Sequence, residues 1–237
     1  MKRILFTGGG TGGHIYPILA ITEKIQVAAG KRGLALEMKY FGSAGNYRQL
    51  LWKNGLSVSG IISSKWRRYF DLRNIIDIPL FFFGLIQAFW KVFWFMPDVL
   101  FSKGGPGALP VVLAAKFYRV PIMVHESDSV FGMTNGISAK YASRIAVSFA
   151  SAADYLPEKK KGVAALTGNP IRASLISGEA LGQQTAKKLF GFDPELPLIL
   201  VLGGSQGSTA INDFFFDAAP ELVKDFQVFH QTGLKNF

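Results

Sequence analysis

A glycine-rich loop near the amino terminus restricts the fold of this chain more than any other feature. A short apolar run at residues 4–6 leads into residues 8–13, where Thr11 is the one residue other than glycine, and apolar residues at helical spacing follow. A strand, a glycine loop and a helix start are typical of the first unit of a doubly wound α/β domain. The loop amides and the helix start can bind phosphate, and His14 directly after them is placed to act as a neutral base.

The spacing of Gly8, Gly10 and Gly13 also fits the G-x-G-x-x-G pattern of dinucleotide-binding enzymes. That pattern includes an acidic residue at the end of the next strand, where it binds a ribose hydroxyl. The next predicted strand covers residues 34–41 and ends in glycine and serine, whereas Glu37 lies inside it. A nicotinamide-dependent oxidoreductase is therefore a minor alternative, because its confirming residue is missing.

The composition indicates a folded protein with anionic partners. The chain has 237 residues, which is enough for one large or two modest domains, and 49% of them are hydrophobic. Its formal net charge of +10 is spread along the sequence, which favours nucleotides, diphosphates or acidic lipid headgroups as ligands. We expect no nucleic-acid binding, since the aromatic residues cluster in one block instead of alternating with basic ones. The absence of cysteine permits a cytoplasmic location, and no signal peptide is expected.

The most apolar part of the chain is the segment at residues 75–96, which is rich in phenylalanine and tryptophan. Asp77, Pro79, Gln87 and Lys91 interrupt it, so a membrane-spanning helix is not expected. Two interpretations remain: a core helix, or a helix whose aromatic surface docks on an anionic bilayer. We favour the second, because apolar residues surround almost the whole helix. The predicted membrane-facing residues are Lys65, Arg67, Arg68, Arg73, Phe82, Phe89 and Trp90.

Further strands and a second glycine loop continue the α/β pattern. A strand near residues 97–101 precedes the glycine loop at 102–108, and a buried strand at 120–124 ends in the polar stretch 125–128. In a parallel sheet, polar residues that follow a strand lie at the edge where ligands bind. The sequence therefore predicts that residues 125–128 lie where a ligand binds.

The pattern breaks at residues 166–172, where glycine and proline occur, and restarts with a strand, a glycine loop and a helix at 198–208. We predict an amino-terminal domain at 1–168 and the start of a second doubly wound domain at 169–237. Two predicted strands are too few for an independent sheet of this kind, so the second domain is expected to be incomplete.

Six short motifs occur in a fixed order along the whole chain. They are residues 9–14, the glycine loop at 102–108, His125-Glu126, Thr134-Asn135, residues 168–172 and residues 203–207. Each motif is weak by itself, but the set is specific. Together they resemble the MurG family of peptidoglycan N-acetylglucosaminyltransferases.

The resemblance implies a glycosyltransferase B fold, in which the first of two Rossmann-like domains binds a lipid-linked acceptor and the second binds UDP-N-acetylglucosamine. It implies inverting transfer of N-acetylglucosamine to the C4 hydroxyl of the N-acetylmuramoyl group of a polyprenyl-diphosphate-linked peptidoglycan precursor, from lipid I to lipid II. The location that it implies is peripheral, at the cytoplasmic face of the cell membrane. No cofactor and no metal are expected, since the sequence has no Asp-x-Asp pair and no histidine cluster.

The resemblance also assigns the site residues, with His14 as the catalytic base. The implied donor-binding residues are Thr11, Gly12, Gly13, Asp128, Arg172, Ser205 and Gln206, and the implied acceptor- or diphosphate-binding residues are Gly10, Gly104, Gly105 and Asn135. His125 and His230 are expected to be structural. The chain departs from the family at Asp128, where asparagine is usual, and at residues 106–108, where an aromatic residue and a serine are common.

The incomplete second domain affects what we expect of this chain by itself. Much of the uracil and sugar pocket would follow residue 237 in the family, so the 237-residue chain is expected not to catalyse transfer and to bind the donor weakly. A non-catalytic fragment that binds polyprenyl diphosphate or the membrane surface is therefore a second hypothesis.

Overall fold

The computed structural model of the chain describes residues 1–63, 73–176, 181–204 and 207–233. The contacts between residues divide it into two units, 1–176 and 177–237. The first unit contains a parallel sheet of seven strands in the order β3-β2-β1-β4-β5-β6-β7. The strands are β1 Lys2–Gly8, β2 Leu36–Gly42, β3 Ser57–Ser59, β4 Val99–Ser102, β5 Ile122–Glu126, β6 Arg144–Val147 and β7 Ala164–Leu166.

Helices connect these strands, as a parallel sheet requires. They are α1 Gly12–Lys31, α2 Arg48–Lys53, α3 Arg73–Phe95, α4 Ala108–Phe117, α5 Met133–Ala139, α6 Glu158–Lys161 and α7 Ala173–Ile176. The predicted α/β class is confirmed. Sequence analysis missed β3 and β7, because each has only three residues and lies at an edge of the sheet, where one neighbouring strand is absent and few residues are buried.

Two hydrophobic clusters cover the two faces of this sheet. Alternate strand residues point to opposite faces, so Leu5 belongs to one cluster and its neighbour Phe6 to the other. The cluster around Leu5 includes α3 and α4, and the cluster around Phe6 includes α1 and α2. Both strand faces are therefore buried, which explains why the central strands are continuous apolar runs.

Helix α1 follows the first glycine loop and ends in a turn that its sequence encodes. Gly33 adopts a left-handed φ of +62°, which glycine accepts without steric cost. The amides of Arg32 and Leu34 both donate to the carbonyl of Ala29, at 3.0 Å each, and so satisfy the helix end. The chain then enters β2 beside β1.

Helix α3 buries one side and exposes the other, so it is a core helix in part, and docking on a bilayer stays a prediction. Ala88, Val92 and Phe95 are in the core. The opposite side carries side chains that are 45–76% exposed, namely Ile78, Phe82, Phe83, Ile86, Trp90, Phe93 and Trp94. Among the described residues, 77–95 form one helix that is long and apolar enough to cross a membrane by length and composition alone. Only 22% of that stretch is buried inside the protein.

The polar residues of α3 bind the segment that follows β3. Gln87 Oε1 accepts a hydrogen bond from the amide of Ile62 at 2.9 Å, and Lys91 Nζ donates to the carbonyl of Gly60 at 2.5 Å. Gly84 lies directly against the carbonyl of Ile62, where a side chain would collide with it. Burial and the nearby Arg48 guanidinium lower the pKa of Lys91. These contacts hold α3 along the side of the first unit.

The second unit contains α8 Gln183–Leu189, β8 Leu198–Leu202, α9 Thr209–Leu222 and β9 Gln227–Gln231. Its two strands are parallel and pair along their whole length, from Leu198 opposite Gln227 to Leu202 opposite Gln231. Lys187 is buried and donates to the carbonyls of Pro194 and Leu196 at 2.9 and 2.6 Å, so it closes the turn before β8. Strand β8 and helix α9 match the strand and helix that the sequence predicts here, and residues 205–206 of the glycine loop between them lie outside the described part of the chain.

The boundary between the units falls later in the chain than the predicted residue 168. Asn169 Oδ1 accepts hydrogen bonds from Ser127 Oγ and Ser148 Oγ at 2.7 and 2.9 Å, and the amide of Ala173 donates to Glu23 at 3.4 Å. Residues 169–176 therefore belong to the first unit. These contacts join residues far apart in sequence, which a pattern of glycine and proline does not reveal.

Candidate active site

The first glycine loop lies at the centre of the sheet, because β1 pairs with β2 on one side and β4 on the other. Buried polar groups anchor it there. The Tyr40 hydroxyl donates to the carbonyl of Gly8 at 2.8 Å, and Thr7 Oγ1 donates to the carbonyl of Phe41 at 2.6 Å. Burial raises the pKa of Tyr40, so the phenol stays a donor. The loop backbone is thus held before any ligand binds.

The His14 imidazole lies between the two glycine loops. A Cβ atom on Gly9 would lie 2.9 Å from His14 Nδ1, and one on Gly105 would lie 3.0 Å from His14 Nε2. Neither position can carry a side chain unless the ring moves. Thr11 Oγ1 and His14 Nδ1 are 2.8 Å apart and share a hydrogen bond. One ring nitrogen is therefore occupied by Thr11, and the other points to the second loop.

The surroundings of His14 favour its neutral form. Burial lowers the pKa of the imidazole, and the Lys103 ammonium lowers it further. The carboxylates of Glu126 and Asp128 act in the opposite direction but do not reverse the shift. A neutral imidazole at pH 7 is the form that can accept a proton.

The second glycine loop follows β4 and packs against the first. Gly104 and Gly105 have φ values of +81° and +90°, which favour glycine. A Cβ on Gly104 would collide with the Asn135 side chain, and one on Gly105 would lie 2.7 Å from the Gly9 amide nitrogen. Lys103, just before them, is 3% exposed and donates a hydrogen bond to Ser127 Oγ.

Glu126 organises the loop that forms another wall of the site. Its Oε1 accepts hydrogen bonds from the amides of Ser127 and Asp128 at 2.8 and 3.1 Å. Its Oε2 accepts hydrogen bonds from the amide of Gly132 at 3.1 Å and from Asn135 Nδ2 at 3.0 Å. Four donors satisfy this buried carboxylate, so its role is to hold residues 127–132 in place.

These elements enclose a cavity of about 390 Å³. Its lining residues are Gly13, His14, Lys103, Gly105, residues 126–128 and residues 132–135. The cavity thus contains one imidazole, one ammonium and two carboxylates. In the described part of the chain, no group of three or more His, Cys, Asp or Glu side chains could hold a metal ion.

Of the predicted site residues, five line this cavity: Gly13, His14, Gly105, Asp128 and Asn135. Asn135 is buried, and both hydrogens of its amide are donated inside the protein, to the carbonyl of His125 and to Glu126. It holds the wall of the cavity and has no donor left for a ligand. Asp128 is exposed at the cavity rim.

Four further predicted residues shape the two loops instead of lining the cavity. A Cβ on Gly10 would be 3.0 Å from Ser43 Oγ, and one on Gly12 would be 3.1 Å from the Tyr47 hydroxyl. Thr11 bonds His14, and Gly104 packs on Asn135. Neighbouring groups therefore leave little room for a side chain at most of these positions, which explains why they are glycine.

Arg172 lies above the start of α1. Its guanidinium carbon is 4.7 Å from the centre of the Tyr16 ring, a cation–π contact. Tyr16 in turn contacts Tyr47 edge to face at 5.8 Å between ring centres. The guanidinium is thus held near the first glycine loop.

Several predicted residues lie outside the described part of the chain. These are Lys65, Arg67, Arg68, Ser205 and Gln206, and only the backbone of Arg73 is described, as the first residue of α3. Phe82 and Trp90 are exposed, at 58% and 61%. Phe89 differs from them, because it is half-buried and packs against Phe117 and Tyr118 at 5.0 and 5.9 Å.

His125 is 2% exposed, and its Nε2 lies 3.1 Å from the carbonyl of Gly168. Burial lowers the pKa of this imidazole. Glu37 pairs with Arg3 and Lys39 at 3.3 and 3.0 Å along the strands, away from the end of β2 where a ribose-binding acid would lie. The dinucleotide-binding pattern therefore lacks its acid in the structure as well.

Sequence reasoning missed Lys103 and Tyr40. In the sequence, Lys103 is a single charged residue between a predicted buried strand and a glycine loop. A lysine in such a place is ordinarily assumed to be exposed to solvent, so it was not singled out. Tyr40 lies inside an apolar strand, and the sequence contains no indication that its hydroxyl reaches Gly8.

Comparison with known proteins assigns the family. A profile described as glycosyltransferase family 28 N-terminal domain matches residues 4–147. A second profile, described as glycosyltransferase family 28 C-terminal domain, matches residues 198–237. The chain belongs to glycosyltransferase family 28.

Curated relatives in this family carry the name of the enzyme that the motifs resemble. The UDP-N-acetylglucosamine–N-acetylmuramyl-(pentapeptide) pyrophosphoryl-undecaprenol N-acetylglucosamine transferase 2 of Bacillus cereus is 38% identical over 237 residues, which are 100% of this chain and 64% of the relative. The transferase of Lachnospira eligens is 40% identical over 234 residues, which are 98% of this chain and 63% of the relative. The chain thus spans a little under two thirds of these relatives, and the resemblance to MurG is confirmed.

Solved structures confirm the glycosyltransferase B fold class. The crystal structure of Acinetobacter baumannii MurG matches with a TM-score of 0.62 and 21% identity, over 99% of this chain and 60% of that one. The UDP-GlcNAc 2-epimerase of Neisseria meningitidis bound to UDP-GlcNAc matches with a TM-score of 0.61 and 12% identity, over 97% of this chain and 72% of that one. At these identities the likeness concerns the fold alone.

Proposed function

We propose that the protein containing this chain transfers N-acetylglucosamine from UDP-N-acetylglucosamine to the C4 hydroxyl of the N-acetylmuramoyl group of a polyprenyl-diphosphate-linked peptidoglycan precursor. The observation that carries the proposal is the position of His14, a neutral imidazole held between two glycine loops in a 390 Å³ cavity. Membership of family 28 and the names of the relatives support the same reaction.

His14 serves as the general base in this reaction. The proposal takes the tautomer in which Nδ1 carries the hydrogen and donates it to Thr11 Oγ1, 2.8 Å away, so that the lone pair of Nε2 is free. Nε2 takes the proton of the acceptor hydroxyl as the oxygen attacks C1 of the donor sugar. The bond from C1 to the UDP oxygen breaks, its electron pair leaves with UDP, and the configuration at C1 inverts.

The leaving diphosphate needs positive partners. Backbone amides of glycine loops and the start of α1 supply partial positive charge, and the Arg172 guanidinium, held by Tyr16, supplies a full one. Donor-binding roles for Thr11, Gly12, Gly13, Asp128, Ser205 and Gln206, and acceptor-binding roles for Gly10, Gly104 and Gly105, belong to the same proposal. Asn135 then acts indirectly, because it holds the cavity wall.

A transfer assay tests the function. The complete protein that contains this chain, given UDP-N-acetylglucosamine and polyprenyl-diphosphate-linked N-acetylmuramyl peptide, should release UDP and form the disaccharide-linked lipid. An acceptor whose C4 hydroxyl is replaced by hydrogen is the matched control and should give no product. Binding of the lipid diphosphate without any transfer would favour the non-catalytic binding module instead.

The exposed side of α3 supports a second part of the proposal, that the first unit docks on the cytoplasmic membrane surface. Its aromatic side chains form a continuous apolar surface, and the +10 net charge of the chain suits anionic headgroups. The acceptor is membrane-embedded in this reaction, so such docking would bring the cavity to its substrate.

Sedimentation with vesicles tests the docking. Trp94→Ser on α3, where the tryptophan is 76% exposed, should weaken vesicle binding by about 10-fold to 150-fold, since burying such a side chain in the interface contributes roughly 1.5–3 kcal/mol. Trp52→Ser is the matched control, because Trp52 is 71% exposed on α2 at the opposite face of the sheet. Binding should also fall as salt rises. Equal losses in both variants would contradict docking through α3.

A further inference from the structure

Lys103 is an unusual residue in this cavity, because its ammonium is buried and held in one place. The Lys103 amide donates to the carbonyl of Thr7 at 2.9 Å, which sets the residue beside the end of β1. Its side chain is 3% exposed, and Nζ donates to Ser127 Oγ. Ser127 Oγ donates in turn to Asn169 Oδ1 at 2.7 Å. The ammonium is therefore anchored through a hydroxyl that is itself fixed.

The side chains of Lys103 and His14 both start beside Gly8. A Cβ built on Gly8 would lie 3.5 Å from both His14 Cβ and Lys103 Cβ, and both side chains then line the same cavity. Two carboxylates also face His14, that of Glu126 at the end of β5 and that of Asp128 in the loop after it. Helix α5 contributes Met133, Thr134 and Asn135 to the cavity, none of them charged.

The hydrogen-bond partner of the Lys103 ammonium is a neutral hydroxyl, which cannot cancel its charge as a carboxylate would. Glu126 accepts its four hydrogen bonds from amides of the loop that follows it and from Asn135. Burial lowers the pKa of the Lys103 ammonium, and the nearby carboxylates of Glu126 and Asp128 oppose that shift. The ammonium therefore shares the cavity with His14, and its described hydrogen-bond partner is a hydroxyl and not a carboxylate.

We propose that Lys103 is a positioning residue for His14, whose fixed ammonium keeps the imidazole unprotonated and therefore able to accept the acceptor proton at neutral pH. A second positive charge next to a first is costly in a partly buried site, so the ammonium disfavours the imidazolium. The lowered pKa of His14 has burial as its first cause and Lys103 as its second, in agreement with the geometry. Without Lys103, burial alone would oppose the two carboxylates, so protonation of His14 would become easier.

Nuclear magnetic resonance titration of the histidine ring protons tests this in the chain as it is. The chain has three histidines, so a His14→Gln variant assigns the His14 signals by their loss. Lys103→Met keeps a similar volume and removes the charge, and we expect it to raise the His14 titration midpoint by about one pH unit. Lys103→Arg keeps the charge and should keep the midpoint. Lys116→Met removes an exposed lysine near the end of α4 and should also leave the midpoint unchanged.

An unchanged or lower midpoint in Lys103→Met overturns the proposal, and so does an equal rise in Lys103→Arg, which would indicate a structural effect. If Lys103→Met does not fold by circular dichroism, Ser127→Ala replaces it. That variant keeps the lysine but frees its ammonium, so the midpoint should rise, and no rise overturns the proposal.

The inference rests on the proposed function, in which His14 is the base, but the titration needs no substrate. A raised midpoint together with full activity in His14→Ala would refute the base and keep the electrostatic coupling. An unchanged midpoint together with a large loss of activity in His14→Ala would refute the electrostatic coupling and keep His14 as the base. The two failures are therefore distinguishable.

Discussion

His14→Ala should lower the turnover of the proposed transfer reaction by about 100-fold to 10,000-fold, the range that general base catalysis contributes. In that proposal the neutral imidazole takes the proton, so alanine would leave the acceptor hydroxyl without a base. The glycine loops remain, so binding of both substrates should change much less than turnover. Single-turnover rates and KM values measured separately for both substrates would show this division.

Two further measurements make the His14 prediction specific. His14→Gln keeps a polar side chain of similar size but cannot take the proton, so it should lose nearly as much turnover as His14→Ala. Because burial and Lys103 lower the pKa of His14, the wild-type rate should stay high as pH falls through the ordinary histidine range near 6.5, and decline only below it. Turnover near that of the wild type in both variants would leave His14 as a structural residue.

Gly105→Ala should have the second largest effect, because it acts on the backbone of both loops at once. At a φ of +90° an L-residue is strained by ~1–2 kcal/mol. The added Cβ would also lie 2.7 Å from the Gly9 nitrogen, 2.8 Å from its Cα and 3.0 Å from His14 Nε2. The loops must separate to relieve these contacts. Since a displacement of about 1 Å can cost roughly 100-fold in rate, we expect turnover to fall at least about tenfold and the first unit to unfold at a lower temperature.

Gly136→Ala is the matched control for that variant. Gly136 lies in α5 near the same cavity and does not have a left-handed φ, and a Cβ added there would have no described atom of a neighbouring group within 4 Å. Alanine there should leave turnover unchanged and stabilise the helix by up to about 1 kcal/mol. Equal losses in the two variants, measured by thermal unfolding and by the transfer assay, would show that loop contact at Gly105 is not the cause.

The local elements of the first unit could be predicted from the sequence because their signals are local. Strand β1, the glycine loop and α1 follow each other within 31 residues, and the change from an apolar run to helical spacing marks each boundary. Strand β8, Leu198–Leu202, begins at the residue where the sequence predicts that the pattern restarts. Short edge strands carry no such signal, which is why β3 and β7 were missed.

The candidate site was partly predictable for the same reason. Its loops follow strands of one parallel sheet, and such strands end at a common edge, so His14, Gly105 and Asp128 could be expected together. The residues that complete the site depend on pairs far apart in the chain. Tyr40 bonds to Gly8, and Ser127 bonds to Lys103 and Asn169. The spacing of residues along the sequence does not indicate any of these contacts.

The sequence by itself determined the α/β class, the place of the glycine loops and the choice of His14 as the candidate base, since each depends on neighbours along the chain. Only the tertiary structure decided that Lys103 is buried beside His14, that Asn135 directs its donors to the cavity wall, and that α3 buries one side while exposing the other. Those outcomes depend on which groups meet when distant segments pack, because burial sets the cost of a charge and the partner decides whether a polar group is satisfied.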